Sequence, residues 1–119
     1  MAPPGRGDSA FVIERTLRQE FARLILLEET DGGRIVGTSW ITCDGRRQYL
    51  HHFAIRPDLQ GRGLGRALLA EVVALARAVG LQLKLEVYRG NARAQDLYRR
   101  SGFTSPGDID ILMMREYGR

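Results

Sequence analysis

Cysteine, lysine and histidine are scarce in this chain of 119 residues, which contains one, one and two of them. The single cysteine, Cys43, excludes an internal disulfide framework and fits a reducing compartment. The two histidines are adjacent, and no spacing of His, Cys, Asp or Glu suggests a metal site, so no metal is expected. No run approaches the roughly 20 apolar residues of a transmembrane helix. Met1 to Gly7 holds Pro and Gly but no apolar core of a signal peptide, so a cytoplasmic protein with no membrane partner is expected. Aromatics make up only 8% of the chain. Its arginines are scattered over every predicted element rather than clustered on one helix with aromatics between, which argues against nucleic acid as a partner.

What the chain does have is enough apolar residue for one core, 44% against 27% charged, and a net charge of +4 that favours an anionic ligand. Residues 1–8 read as a disordered tail; Arg6-Gly7-Asp8 spells an integrin-binding tripeptide, but so short a match carries little. Residues 9–119 read as one domain. Ser9 suits a helix cap ahead of a stripe of Ile13, Leu17, Phe21 and Leu24, although Phe11 to Arg15 could also open a strand. Strands are predicted over 22–30 and 34–43, joined by Asp31-Gly32-Gly33, a hairpin turn whose central positions want positive φ. Asp44-Gly45-Arg46 turns into a third strand over about 47–56, ended by Pro57. From Gly63 to Val79, Leu64, Leu68, Val72, Leu75 and Val79 keep helical spacing up to Gly80, a left-handed cap. Alternation predicts a strand over 81–88. Asn91 caps a helix to about Arg100, and 108–117 reads as a last strand with Ile109, Ile111 and Met113 on one face. The fold class is α/β (α+β), with one mixed sheet.

Between the third strand and the long helix lies Gln60-Gly61-Arg62-Gly63-Leu64-Gly65-Arg66. Its alternating glycines let backbone approach a ligand closely, and the helix start that follows favours negative charge, as a pyrophosphate would supply. A Walker A loop would need Lys-Ser/Thr after the glycines. A dinucleotide fingerprint would need G-x-G-x-x-G and an acidic residue at the end of the next strand. Neither is present. Gln60 to Ala67, together with Asn91, Ala94, Leu97-Tyr98 and Gly102-Phe103 downstream, resembles the GNAT superfamily of acyl-CoA-dependent N-acetyltransferases. The resemblance covers roughly residues 20–117 and, in Leu85-Glu86-Val87, Asn91 and Tyr98, is similar to the ribosomal-protein N-terminal acetyltransferases.

The resemblance implies a mostly antiparallel twisted sheet with flanking helices, and acetyl-CoA as acyl donor to an amine. Gln60, Gly61, Arg62, Gly63, Leu64, Gly65 and Arg66 would hold the pyrophosphate. The strand at Phe53, Ala54 and Ile55 would splay from its neighbour at Leu85–Val87 and pair with the pantetheine arm. Tyr98 would protonate the leaving thiolate, and Asn91 would bond the cofactor, cap its helix, or both. A base must take the proton of the incoming ammonium. Glu86 is the first candidate, with His52 and His51 as rivals; neighbours on a strand should face opposite sides, so only one histidine should reach the cleft. Trp40 and Tyr49 could line an acceptor pocket or simply be core. The family usually has a strand and two helices before its first hairpin, and here only about twenty residues precede it. That shortened side would leave apolar surface for a homodimer to cover. The rival reading is a non-catalytic acyl-CoA-binding module on the same fold.

Overall fold

The computed structural model describes residues 9–117. The tail read over 1–8, with its Arg6-Gly7-Asp8 tripeptide, lies outside them. Helix α1 spans Ala10–Thr16, and the Ser9 hydroxyl accepts from the Val12 amide as its cap. The helix stops there, so Phe21 and Leu24 do not continue its stripe; Leu24 belongs to β1 (Arg23–Glu28). Strands β2 (Ile35–Cys43) and β3 (Gln48–Ile55) follow, then α2 (Leu64–Val79), β4 (Leu83–Leu85) and α3 (Ala92–Arg100).

The sheet runs β1-β2-β3-β4, with the first three strands antiparallel and β4 parallel to β3. Both hairpins fall where turn chemistry puts them. Gly32 and Gly33 have φ of 82° and 65°. At the second turn the Asp44 carboxylate accepts from the Arg46 and Arg47 amides at 2.7 Å each. Those two bonds, Arg47 first, hold its carboxyl below the ordinary range. Gly80, at φ 85°, ends α2 as a left-handed cap.

Alternation divides the sheet into two faces. Ile41 and Leu50 point to α2 and form the buried core with Leu68, Leu69 and Val72; Leu97, Tyr98 and Phe103 pack against it from α3 and the turn beyond. Buried Gln48 ties the far end of α2 to the sheet, its Nε2 donating to the carbonyls of Ala76 and Leu81. On the opposite face Trp40 is buried under α1, its Nε1 donating to Thr16 Oγ1 at 3.1 Å. This makes Trp40 a core residue rather than part of a pocket wall.

Two predicted strands are corrected. The run predicted over 81–88 is a strand only at Leu83–Leu85, because pairing with β3 stops at Leu50–Leu85 and residues 86–88 have no ladder to join. Residues 108–117 form no strand. Their alternation is real, but alternation specifies faces and not a partner, and a strand exists only when its backbone is paired.

Candidate active site

The site is built where β3 leaves β4. The two strands pair at Gln48–Leu83, Tyr49–Lys84 and Leu50–Leu85 and no further. From His51 onward β3 is parted from β4, as the splay at Phe53, Ala54 and Ile55 requires. A bulge lies at the same point. Thr38 pairs with Ala54 and Trp40 with His51, so one residue of β2 stands opposite two of β3. The extra residue is accommodated at His52, with φ of 48°. This corrects the expectation that the two histidines face opposite sides. Both rings lie on Trp40, His51 at 4.7 Å and His52 at 5.5 Å between centroids. His51 Nε2 also bonds Thr42 Oγ1 at 2.8 Å.

Beyond β3 the chain turns through Pro57–Leu59. Gln60 braces the turn by donating from Nε2 to the Ile55 carbonyl at 3.0 Å. Gly61 and Gly63 then take φ of 83° and 82°, a region open to glycine at no steric cost. Helices α1 and α3 are capped by the side chains of Ser9 and Asn91, but α2 begins at Gly63 with no side-chain cap. Its first amides have no side-chain acceptor, and the helix dipole favours an anion there.

A cleft of about 350 Å³ opens at this point. Phe53, Ile55 and Leu97 form its apolar wall, and Gly61, Gly63, Gly65 and Arg66 its amide- and cation-bearing end. Gln60 and Asn91 also line it. Ala54, Arg62 and Leu64 do not. Asn91 Oδ1 accepts from the Ala94 amide at 3.1 Å, so the capping role is in place. Tyr98 stands one ring behind the wall, edge-on to Phe53 at 6.0 Å and to Phe103 at 5.8 Å. Burial raises its pKa above the ordinary 10.0, so its hydroxyl keeps its proton at neutral pH. Glu86 lies exposed, one residue past the end of β4.

Sequence reasoning missed Arg93, Asp96 and Arg100, which share the cleft. Arg93 Nη2 lies 3.5 Å from where a Cβ on Gly61 would stand, and Arg100 pairs with Asp96 at 2.8 Å. The signal was available: 93, 96/97 and 100 form one helical stripe with Leu97, so the face that packs Leu97 inward carries the arginines to the cleft. Among the described residues, no group of three or more His, Cys, Asp or Glu converges, and no helix is long and apolar enough to cross a membrane.

A cleft with an apolar wall, exposed strand backbone and an amide-and-arginine end fits an elongated ligand with an anionic head. The mixed four-stranded sheet with flanking helices is an α/β architecture. The chain belongs to the acetyltransferase (GNAT) family, whose model matches residues 3–103. It is 40% identical over 93 residues to the mycothiol acetyltransferase of Clavibacter michiganensis subsp. michiganensis, covering 77% of this chain and 30% of that protein. It is 41% identical over 80 residues to the N-alpha-acetyltransferase RimI of Mycobacterium tuberculosis, covering 64% and 49%. Among solved structures, the ribosomal-protein-S18-alanine N-acetyltransferase of Escherichia coli superposes with a TM-score of 0.64 at 32% identity, covering 72% of this chain and 55% of that one. The chain thus spans between about a third and just over half of the length of these three relatives.

Proposed function

We propose that this protein is an acyl-CoA-dependent N-acetyltransferase that moves acetyl from acetyl-CoA to a primary amine by direct attack. One observation carries the reading: the uncapped start of α2 and the parted edge of β3 open onto the same cleft. The first suits a pyrophosphate, the second an extended pantetheine-like arm, and their proximity suits one molecule that has both. The names of two relatives, N-alpha-acetyltransferase and ribosomal-protein-S18-alanine N-acetyltransferase, support an amine as acceptor.

When bound, the thioester supplies a carbonyl already activated toward amines. The residues of this chain do the rest. Gly61, Gly63, Gly65 and Arg66 hold the diphosphate, helped by Arg93 from α3, with Arg62 adding positive charge from the same loop. Phe53, Ala54 and Ile55 offer backbone along the arm. A C–N bond forms as the C–S bond breaks; Tyr98 gives its phenolic proton to the departing sulfur, and Glu86 receives the proton of the amine through water. His52 is the alternative base, since the bulge sets it beside the parting of the strands. His51 is the other histidine candidate for this role. The same reading takes the protein as cytoplasmic and as a homodimer, supported by apolar side chains such as Leu24 and Leu26 that stand 45% exposed on β1.

The test is thiol release from acetyl-CoA in the presence of amines, peptides and polyamines. Turnover with at least one acceptor is expected, abolished by Gly63→Asp, which adds a negative charge and a strained side chain at φ 82°. Tight CoA binding with no turnover on any acceptor would favour the non-catalytic acyl-CoA-binding module. CoA binding that survives Gly63→Asp would overturn both.

A further inference from the structure

The bulge in β3 is held from β2 by two groups. His52 has φ of 48°, a region that sterics disfavour for any residue with a Cβ, so it persists where its surroundings impose it. Trp40 lies against the His52 ring, with the two planes 14° apart. Thr38 Oγ1 donates to the His52 carbonyl at 3.2 Å. The ring contact holds the residue, and the hydroxyl holds the peptide that follows it.

The His52–Phe53 peptide is trans, and in a trans peptide the carbonyl and the N–H point opposite ways. With its carbonyl turned to Thr38 on β2, this peptide turns the Phe53 N–H to the other edge of β3. On that edge β4 does not take the amide, because pairing ends at Leu50–Leu85. The amide therefore faces the gap beside Phe53 and Ile55, the apolar wall of the cleft. β2 sets a second hydroxyl at the same point. Ser39 stands between Thr38 and Trp40, opposite the bulge, and alternation puts it on the face of Ile41, away from Thr38. Its Oγ is fully buried and has no hydrogen-bond partner. Of the two neighbouring hydroxyls, Thr38 holds the bulge and Ser39 does not.

We propose that Thr38 is a positioning residue for acyl transfer: its hydroxyl holds the His52–Phe53 peptide so that the Phe53 amide is aimed across the gap at the thioester oxygen. The proposal rests on the acyl-transfer reading above. As the amine attacks, that oxygen gains negative charge, and a donor fixed in advance stabilises the charge with no reorganisation. Thr38 itself does not line the cleft; it acts through the backbone.

Infrared difference spectroscopy of acetyl-CoA, isotopically labelled at its thioester carbonyl, reads this bond without turnover. A hydrogen bond to the oxygen lowers the carbonyl stretching frequency, so binding to the wild type should lower it. T38V keeps the β-branched shape and drops the hydroxyl. Most of the lowering should then be lost, and kcat should fall roughly tenfold. CoA, which has no such oxygen, should bind T38V as tightly as the wild type. T38S keeps a hydroxyl and should preserve both the frequency and kcat. S39A removes the neighbouring, unpartnered hydroxyl and should leave both unchanged. The wild-type shift is read whether or not T38V folds. A wild-type frequency that does not move on binding, a T38V frequency equal to that of the wild type, or an S39A change as large as that of T38V would overturn the proposal. Each of those results leaves the acyl-transfer reading standing, because thiol release is measured separately. Acetyl-CoA that fails to bind the wild type would overturn that reading and the proposal with it.

Discussion

Tyr98 is held between two aromatic edges, Phe53 on the cleft side and Phe103 on the core side, and that packing fixes both its position and its protonation. Burial disfavours the phenolate, so its folded pKa lies above 10.0. A raised pKa means that the stability linked to this group is whole below the unfolded value and is lost as pH rises through the folded one. No alkaline loss of activity due to Tyr98 is therefore expected until pH exceeds 10.0. Tyr98→Phe removes the proton but keeps the ring against Phe53 and Phe103. We expect kcat to fall about 10²-fold or more, with CoA affinity nearly unchanged. Steady-state kinetics beside a direct CoA titration check this; a wild-type kcat in the variant would remove Tyr98 from the chemistry. Glu86→Gln and His52→Gln divide the remaining role. Whichever is the base, its loss should abolish the acid limb of the kcat/KM profile, and loss of the other should leave that limb in place.

Between elements, the closest approach lies at Gly37 in β2. A Cβ there would stand 2.8 Å from Ile55 Cδ1, 3.1 Å from Leu27 Cβ and 3.3 Å from Leu68 Cδ2. The Ile55 methyl can swing aside, but a neighbouring strand's Cβ and a core leucine of α2 cannot. Gly37→Ala should cost about 1–3 kcal/mol by overpacking, read as a lower urea midpoint at unchanged slope. Gly65→Ala is the control: its added Cβ meets Leu97 and Ile55 at 3.6 and 3.7 Å, ordinary contact, and stability should hold. The contrast shows what was legible in the sequence. Hairpins at Asp31-Gly32-Gly33 and Asp44-Gly45-Arg46, the start of α2 at its glycines and the cap at Asn91 were all readable, because turn and cap chemistry are local. The bulge at His52 was not readable, since a bulge depends on how two strands pair and nothing in the run 47–56 itself marks where the extra residue falls. Arg93 was missed because its role depends on which way α3 lies over the glycine loop. The segment over 108–117 misled for a related reason: its period named a face but supplied no partner strand.

On the scale of the whole molecule, the cleft draws its walls from β3, the loop before α2, the first turn of α2 and α3, which no short piece of chain can reproduce. A ligand held there binds the folded state and not the unfolded one, so it must raise the melting temperature by mass action. At 100 times its dissociation constant that stabilisation is about 2.7 kcal/mol, which for a chain of this length corresponds to a rise on the order of 10 °C. Acetyl-CoA and acetyl-pantetheine carry the same thioester and the same strand-like arm, and differ in the phosphates and the nucleoside. If the uncapped helix start, Arg66 and Arg93 supply most of the grip, acetyl-pantetheine at equal concentration should give less than a third of the acetyl-CoA shift. Added salt should shrink the acetyl-CoA shift through screening while leaving the small pantetheine shift alone. Thermal melts of the full chain across ionic strength measure both. Equal shifts for the two ligands, or an acetyl-CoA shift indifferent to salt, would mean that the apolar wall of Phe53, Ile55 and Leu97 does the holding and that the glycine loop serves only to turn the chain.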